Sequence, residues 1–279
     1  MTIRDDHSLA ADLATEAGER LLGIRERVGF DDSSALRAEG DRASHVFLME
    51  ALARLRPSDS VLSEEATREE RLDPRRLSAS RVWIVDPLDG TREFSERRAG
   101  LGGGSSRNQD GAEGSATTGA PEGRSDWAVH VALWEGGRLT AGAVALPAQG
   151  RTLTTAEPPK PPSFDGGRFR IAVSRTRPPE FVQKLAYLLG ADLVPIGSAG
   201  AKISAVLTGE VEAYVHAGGQ YEWDSAAPVA VAQAAGVHAS RIDGSELTYN
   251  QADPSLPDIL VSLPELATSL LNGIRDLHR

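Results

Sequence analysis

The 279-residue chain contains no cysteine, which excludes disulfides, thiolate catalysis and cysteine-ligated zinc. Lysine is almost as scarce: only Lys160, Lys184 and Lys202 occur among 30 basic side chains, so each one is easy to weigh. Basic charge is also in deficit, with 40 acidic residues giving a formal net charge of −10. A protein that grips a nucleic-acid polymer normally carries a basic patch, so that class is disfavoured, while a free nucleotide held through a metal remains compatible. No apolar run approaches the roughly 18 residues of a membrane span. The N-terminus carries Asp5, Asp6 and His7 where a signal peptide would need a basic start and an apolar stretch. No membrane association and a cytoplasmic location are therefore expected. The length exceeds a typical domain of about 100 to 150 residues, which predicts two lobes or two closely packed domains.

The most informative segment is Val82-Trp83-Ile84-Val85-Asp86-Pro87-Leu88-Asp89-Gly90-Thr91. Its first four residues have the composition of a buried strand, and Pro87 lacks an N–H, which predicts that the strand stops at Asp86. Gly90 permits a tight turn and Thr91 is a candidate N-cap, so a helix starting there would point N–H groups at an anion. Cation and phosphate could meet at one place.

Elsewhere, apolar residues at helical spacing predict a first helix over residues 8–28. A second is predicted around residues 46–55, capped by Asp41 or Ser44. Val61-Leu62 reads as a short strand ending on Glu64-Glu65. Residues 97–124 are rich in Gly, Ser, Ala and charge, too poor in apolar side chains to offset ordering entropy, and read as a mobile insertion of tolerated length rather than a lid. Residues 126–134 and 139–146 read as a hairpin about Gly136-Gly137. The Pro-rich stretch Pro158 to Pro162 is the best boundary, giving a first lobe over residues 1–157 and a second over 168–279. Strands are then expected at 169–173, 193–196, 211–215 and 258–262, alternating with helices at 179–189, 199–207, 224–235 and 264–277. Such alternation implies a layered α/β architecture.

Four acidic positions fall at predicted element ends: Asp41, Glu64, the Asp86/Asp89 pair, and Asp224 in Glu222-Trp223-Asp224-Ser225-Ala226-Ala227. Asp41 and Asp224, taken singly, read equally well as helix caps. A cap needs one carboxylate, however, and the Asp86 to Thr91 turn concentrates two. Oxygen ligands without clustered His or Cys select a hard cation, Mg²⁺ or Mn²⁺. Two such ions bridged by a carboxylate suit phosphate ester hydrolysis. The haloacid-dehalogenase motif looks similar but has one residue between its aspartates, where this chain has Pro87 and Leu88. A non-catalytic Mg²⁺ or nucleotide-binding protein is the rival from another class.

Together these residues resemble the Mg²⁺-dependent, lithium-sensitive phosphatases that include inositol monophosphatase, fructose-1,6-bisphosphatase and 3′-phosphoadenosine 5′-phosphate (PAP) phosphatase. The motifs are Asp-Pro-Leu-Asp-Gly-Thr at 86–91, Glu64-Glu65 after the preceding strand, and Trp-Asp-Ser-Ala-Ala at 223–227. The resemblance implies a five-layer αβαβα fold with two lobes. It implies that Glu64, Asp86 and the Leu88 carbonyl bind a first Mg²⁺, that Asp86, Asp89 and Asp224 bind a second, and that Glu64 also holds the water of a third. Asp41 and Thr91 would orient and deprotonate the attacking water, and the Gly90 and Thr91 amides, next to Asp89, would hold the phosphate. Where inositol monophosphatases place an inositol-binding Glu, seven residues before the aspartate of Trp-Asp, this chain has Ala217. Ser174-Arg175-Thr176-Arg177 and Gly197-Ser198 to Lys202 resemble segments of the CysQ-type PAP phosphatases, which nominates Ser198, Lys202 and Arg175 as substrate-binding, with Lys202 and Arg175 as donors to a second substrate phosphate. A solvated helix lysine and a structural arginine are the plainer alternatives. Arg177 replaces a His of that pattern, which puts an adenine contact in doubt. The implied substrate is PAP, with inositol phosphate or fructose 1,6-bisphosphate as the alternative, and a homodimer is expected. His130 is expected in a core or surface strand position without a catalytic role, and His216 is a minor substrate candidate.

Overall fold

The computed structural model describes residues 5–98 and 123–277. The insertion read at 97–124 therefore falls almost wholly outside the described residues. Its two ends meet, since Arg97 and Gly123 form an isolated antiparallel bridge.

Helix α1 (Asp6–Val28) is capped by Asp5, and α2 (Ser33–Leu55) by Asp32, whose side chain accepts from the Ser34 and Ala35 amides. The second helix thus begins well before the predicted start, and Asp41 and Ser44 lie inside it instead of capping it. Strand β1 (Ser60–Ser63) is followed by two short helices, α3 (Arg68–Arg71) and α4 (Pro74–Ser78). Strand β2 (Arg81–Asp89) then leads into the one-turn α5 (Thr91–Phe94). Strands β3 (Ala128–Glu135), β4 (Arg138–Leu146) and β5 (Arg151–Thr154) complete a five-stranded sheet ordered β1-β2-β3-β4-β5. Only its β1/β2 pair is parallel.

The second half supplies β6 (Arg170–Ser174), α6 (Glu180–Leu189), β7 (Asp192–Ile196), α7 (Ala199–Leu207), β8 (Ala213–Ala217), α8 (Glu222–Ala234), β9 (His238–Ser240), β10 (Asp258–Ser262) and α9 (Pro264–Leu277). These strands form a second sheet ordered β7-β6-β8-β10-β9. The strands β5 and β9 had no counterpart in the sequence reading. Both are short and lie at sheet edges, where hydropathy carries little signal.

Three apolar clusters reveal the layering. The first joins α1 and α2 to one face of the first sheet, through Leu13, Leu21 and Leu48 against Trp83, Val85, Val131 and Leu133. The second fills the space between the sheets, where Val82, Ile84, Ala132 and Val144 meet Ile203 and Val206 of α7 and Ala227 and Val231 of α8, with Tyr214 and Ile259 beyond. The third packs Val182 and Leu185 of α6 and Leu270 and Ile274 of α9 under Ile171, Val215 and Leu260. The order α, β, α, β, α is the expected five-layer arrangement. Alternate residues of β2 and β3 face opposite layers, as the two-residue pleat requires. Even-numbered Val82, Ile84, Ala128 and Ala132 look inward to α7 and α8. Because both faces are buried, the strand reads as a continuous apolar run.

Pro87 does not end β2. The register jumps between Asp86↔His130 and Asp89↔Ala128, so two residues of β2 oppose the single Val129 of β3. The proline sits in this bulge, where a missing N–H leaves no ladder bond unmade. The Ser44 hydroxyl donates to the Pro87 carbonyl at 2.6 Å and fixes the bulge from α2.

The start of α8 is anchored to the first half by a buried polar network. Arg76, 2% exposed, donates to Asn250 Oδ1 at 2.6 Å and to the Gln251 carbonyl at 3.0 Å. The Glu222 carboxylate accepts from the amides of Asn250 at 2.6 Å and Gln251 at 2.7 Å. Asn250 takes a left-handed φ of 60°, a conformation that asparagine tolerates better than most residues. Arg76→Met would leave Glu222 and the Asn250 side chain buried without their cationic partner. We expect a loss of about 3–5 kcal/mol in urea denaturation, in the range for breaking buried charge networks; a loss within experimental error would show that the network does not anchor α8.

Candidate active site

The site forms where the bulged end of β2 meets the N-terminal ends of α7 and α8. Carboxylate oxygens of Asp86, Asp89 and Asp224 lie within 4.8 Å of one another. It is the one such group of metal-ligating side chains among the described residues. Asp86 and Asp89 are almost fully buried. The bulge makes this convergence, because it bends the chain so that two aspartates three positions apart face one cavity. Glu64, beyond β1, reaches the cluster from the neighbouring parallel strand, and its carboxyl is in hydrogen-bond contact with that of Asp86.

Crowding of like charge out of water is the dominant electrostatic fact. Burial, followed by the charges of Glu64, Asp89 and Asp224, pushes Asp86 well above the usual carboxylate range. Burial together with neighbouring carboxylates pushes Glu64 up to about 7 and, with Asp89 nearby, Asp224 up to about 7. Burial and then Glu65 push Asp41 up to about 6.

Asp89 is the exception. Burial alone would raise it, but the His130 ring and the Gly200 N–H outweigh burial and hold it below the usual value. The amides of Ala199 and Gly200 at the start of α7 donate to Asp89 Oδ1 at 3.3 Å and Oδ2 at 2.6 Å. A Cβ at residue 200 would fall 2.0 Å from His130 Nε2 and 2.8 Å from Asp89 Oδ2, so only glycine lets α7 approach this closely.

Asp224 serves both readings offered by the sequence. Its Oδ2 accepts from the Tyr221 amide at 2.7 Å, securing the first turn of α8, while its carboxylate faces Asp86 and Asp89. Asp41, by contrast, caps nothing. From inside α2 it accepts from the Thr91 hydroxyl at 3.3 Å, and that hydroxyl also lies 3.2 Å from the Leu88 carbonyl. Thr91 is the first helical residue, not the cap. The cap is Gly90, whose φ of 85° and ψ of 45° are left-handed and whose absent Cβ would stand 2.7 Å from Ser198 Cβ.

The three nominated substrate residues divide. Ser198 caps α7, accepting from the Ala201 amide at 3.1 Å, and packs against Gly90. Lys202 is not a solvated helix lysine: it is 4% exposed, with Nζ 2.5 Å from the Gly197 carbonyl. Burial lowers its pKa against the pull of Asp89 and Glu93. Arg175 is already engaged, donating to Glu93 at 2.9 Å and Glu96 at 2.6 Å. That pairing favours the structural alternative, since a phosphate would have to displace two carboxylates. His216 Nε2 donates to the Gly218 carbonyl, 2.7 Å away, and so is tied to its own loop.

His130, expected in a core or surface strand position, stands beside the carboxylate cluster. It is fully buried on the inward face of β3, directly across the ladder from Asp86, with Nε2 3.2 Å from Asp89 Oδ2. The signal was the two-residue pleat: His130 shares a face with Ala128 and Ala132, which look towards α7 and α8.

The donor set fits a hard divalent cation. It is made of oxygens alone, and its buried negative charge requires a positive partner. In the metal-free protein, folded-state pKa values above those of the unfolded chain make the ionised cluster a burden. Stability should therefore fall as pH rises from about 4, where these groups ionise in the unfolded chain, through the folded values of about 6 for Asp41 and about 7 for Glu64 and Asp224. Mg²⁺ should restore it at neutral pH. Thermal unfolding of chelator-treated protein checks this, and Asp86→Asn should raise the metal-free melting temperature while abolishing the Mg²⁺-induced increase. A mutant that keeps the Mg²⁺ response would remove Asp86 from the site.

Comparison with known proteins agrees with this geometry. A sequence profile of the inositol monophosphatase family matches residues 6–276. The 3′-phosphoadenosine 5′-phosphate phosphatase of Mycobacterium leprae is 48% identical over 284 aligned positions, covering 98% of this chain and 94% of that protein. The 3′(2′),5′-bisphosphate nucleotidase CysQ of Escherichia coli is 29% identical, covering 90% of this chain and 97% of its own. Among solved structures, inositol monophosphatase-II of Staphylococcus aureus superposes with a TM-score of 0.72 at 22% identity, covering 97% of this chain and 95% of that one. The αβαβα layering, the buried carboxylate cluster and the profile match over nearly the whole length place the chain in the inositol monophosphatase family.

Proposed function

We propose that this chain is a Mg²⁺-dependent phosphatase that removes the 3′-phosphate of PAP, yielding AMP and inorganic phosphate. The observation that carries the substrate is the 48% identity to the M. leprae PAP phosphatase over 98% of the chain. Ala217 supports it, because a methyl group cannot bind an inositol hydroxyl. The buried Lys202 supports it too, as a cation that a second substrate phosphate could recruit.

In this reading Glu64, Asp86 and the Leu88 carbonyl hold one Mg²⁺, and Asp86, Asp89 and Asp224 hold another; Mn²⁺ could replace either, and Glu64 could hold the water of a third. When bound, these cations supply the positive charge that neutralises the phosphoryl oxygens and stabilises the departing 3′-oxygen. The N–H groups of Gly90 and Thr91 would hold the phosphate, beside Asp89. Thr91 and Asp41 orient a water for in-line attack on phosphorus. As the new P–O bond forms, the water proton passes to Asp41, whose raised pKa suits a base working near neutrality. The P–O3′ bond breaks, and the 3′-oxygen leaves protonated by solvent. Ser198 positions Gly90 through their contact and Lys202 faces the second phosphate, with Arg175 available only if Glu93 and Glu96 release it. We read residues 1–157 and 168–279 as two lobes with the substrate between them, in a cytoplasmic homodimer. No helix among the described residues is long and apolar enough to cross a membrane.

Purified protein assayed in parallel on PAP, inositol 1-phosphate and fructose 1,6-bisphosphate should prefer PAP and be inhibited by Li⁺. A clear preference for inositol phosphate would refute the nucleotide assignment. Thr91→Val should lower kcat by about 10²- to 10⁴-fold, the usual worth of a positioned proton-transfer group, with KM little changed; an unchanged kcat would remove Thr91 and Asp41 from the proton path.

A further inference from the structure

His130 lies behind the carboxylate cluster and not within it. The three aspartates have oxygens within 4.8 Å of one another, and the histidine is outside that group. Its ring is held at both ends. Nδ1 lies 2.9 Å from the Trp223 carbonyl, an acceptor only, so Nδ1 carries a hydrogen and donates. Nε2 lies 3.2 Å from Asp89 Oδ2, an ion-pair approach rather than an aligned hydrogen bond, and has no other partner among the described residues. Both ring nitrogens therefore face oxygen acceptors.

Three elements converge on Asp89 in this way: β3 through His130, α7 through the Ala199 and Gly200 amides, and α8 through the Trp223 carbonyl that anchors the ring. Trp223 immediately precedes Asp224, so the histidine spans from one aspartate of the cluster to the backbone beside another. Neither the Asp-Pro-Leu-Asp-Gly-Thr motif nor the Trp-Asp motif contains it.

We propose that His130 is a positioning residue that clamps the Asp89 carboxylate in the orientation needed to bind a divalent cation, and locks Asp89 to the first turn of α8. The role rests on the metal-site reading given above. A carboxylate free to rotate about its Cβ–Cγ bond would spend part of its time with both lone-pair edges turned away from the ion. The Ala199 and Gly200 amides already hold both oxygens, and the His130 contact at Oδ2 narrows the rotation that remains. Partners of this kind typically account for about 10- to 100-fold in metal affinity.

The test is Mn²⁺ binding to the metal-free protein, read from the electron paramagnetic resonance signal of unbound Mn²⁺, with no substrate present. Glutamine and asparagine separate the two ends of the ring. The amide nitrogen of His130→Gln reaches the place of Nε2 and can still donate to Asp89, but it gives up the Trp223 carbonyl. That of His130→Asn reaches the place of Nδ1 and does the reverse. If contact with Asp89 sets the affinity, His130→Gln should stay within a fewfold of wild type, while His130→Asn and His130→Ala weaken Mn²⁺ binding about 10- to 100-fold. Thermal unfolding without metal reports the structural cost of each variant separately. Equal Mn²⁺ affinity in the glutamine and asparagine variants, or wild-type affinity in the alanine variant, would overturn the proposal. Failure of the wild-type protein itself to bind Mn²⁺ would instead refute the metal site, and this role with it. Should His130→Ala not fold, the glutamine and asparagine pair still decides the matter.

Discussion

The structure depends on keeping several carboxylates together at a site where two of them, Asp86 and Asp89, are buried and Asp224 and Glu64 are half-buried. Asp86, Asp89 and Asp224 converge within 4.8 Å, with Glu64 against Asp86, and burial makes their mutual repulsion costly. In isolation such a cluster would be neutralised by protonation or relieved by moving apart. Several features of the fold oppose the second outcome. The bulge at Pro87 and Leu88 is pinned by Ser44, Asp89 is held by two amides and a histidine, and Asp224 is fixed into the first turn of α8. The fold thereby holds in place a charge cluster that could bind a metal ion.

That requirement explains the middle layer. Helices α7 and α8 belong by sequence to the second half, yet α8 packs against β2, β3 and β4 of the first sheet. Its N-terminal turn must sit at a fixed depth for Asp224 to reach Asp86. The depth is set by Glu222 and the 250–251 loop, which Arg76 ties to the first half. Glu222 is itself buried and pushed up to about 7 by that burial, opposed by the amides it accepts from. A stretch that the sequence marks as a boundary, Pro158 to Pro162, therefore joins two halves that share one apolar layer and one polar site.

Much of this was legible in the sequence because it is local. Continuous apolar runs and their turn residues predicted most strands and helices within a few residues, and α7, β10 and α9 agree with the expected bounds. The ordered motifs at Glu64, Asp86 to Thr91 and Asp224 mark the acidic cluster in the sequence itself. What escaped depends on partners remote in the chain. Pro87 marks a strand end only if the partner strand cannot accommodate a bulge, and that is decided by Val129, some forty residues away. Asp41 looked like a cap because the helix start at Asp32 has weak apolar periodicity around it; its true partner, Thr91, is 50 positions on. Arg175 looked available because Glu93 and Glu96, which engage it, lie about 80 positions earlier. His130 is the instructive case: an unremarkable strand residue by composition, it acquires meaning only once the pleat and the Asp86↔His130 register are known.

The central claim is that the cluster binds hard divalent cations through Asp86, Asp89 and Asp224. Anomalous diffraction from crystals soaked in Mn²⁺ tests it most directly, because the ion's position is read without reference to activity. The account predicts a peak bonded to oxygens of all three aspartates, at roughly 2.0 to 2.3 Å as hard-cation coordination requires. Anomalous density confined to surface carboxylates, with none among these three residues, would contradict it.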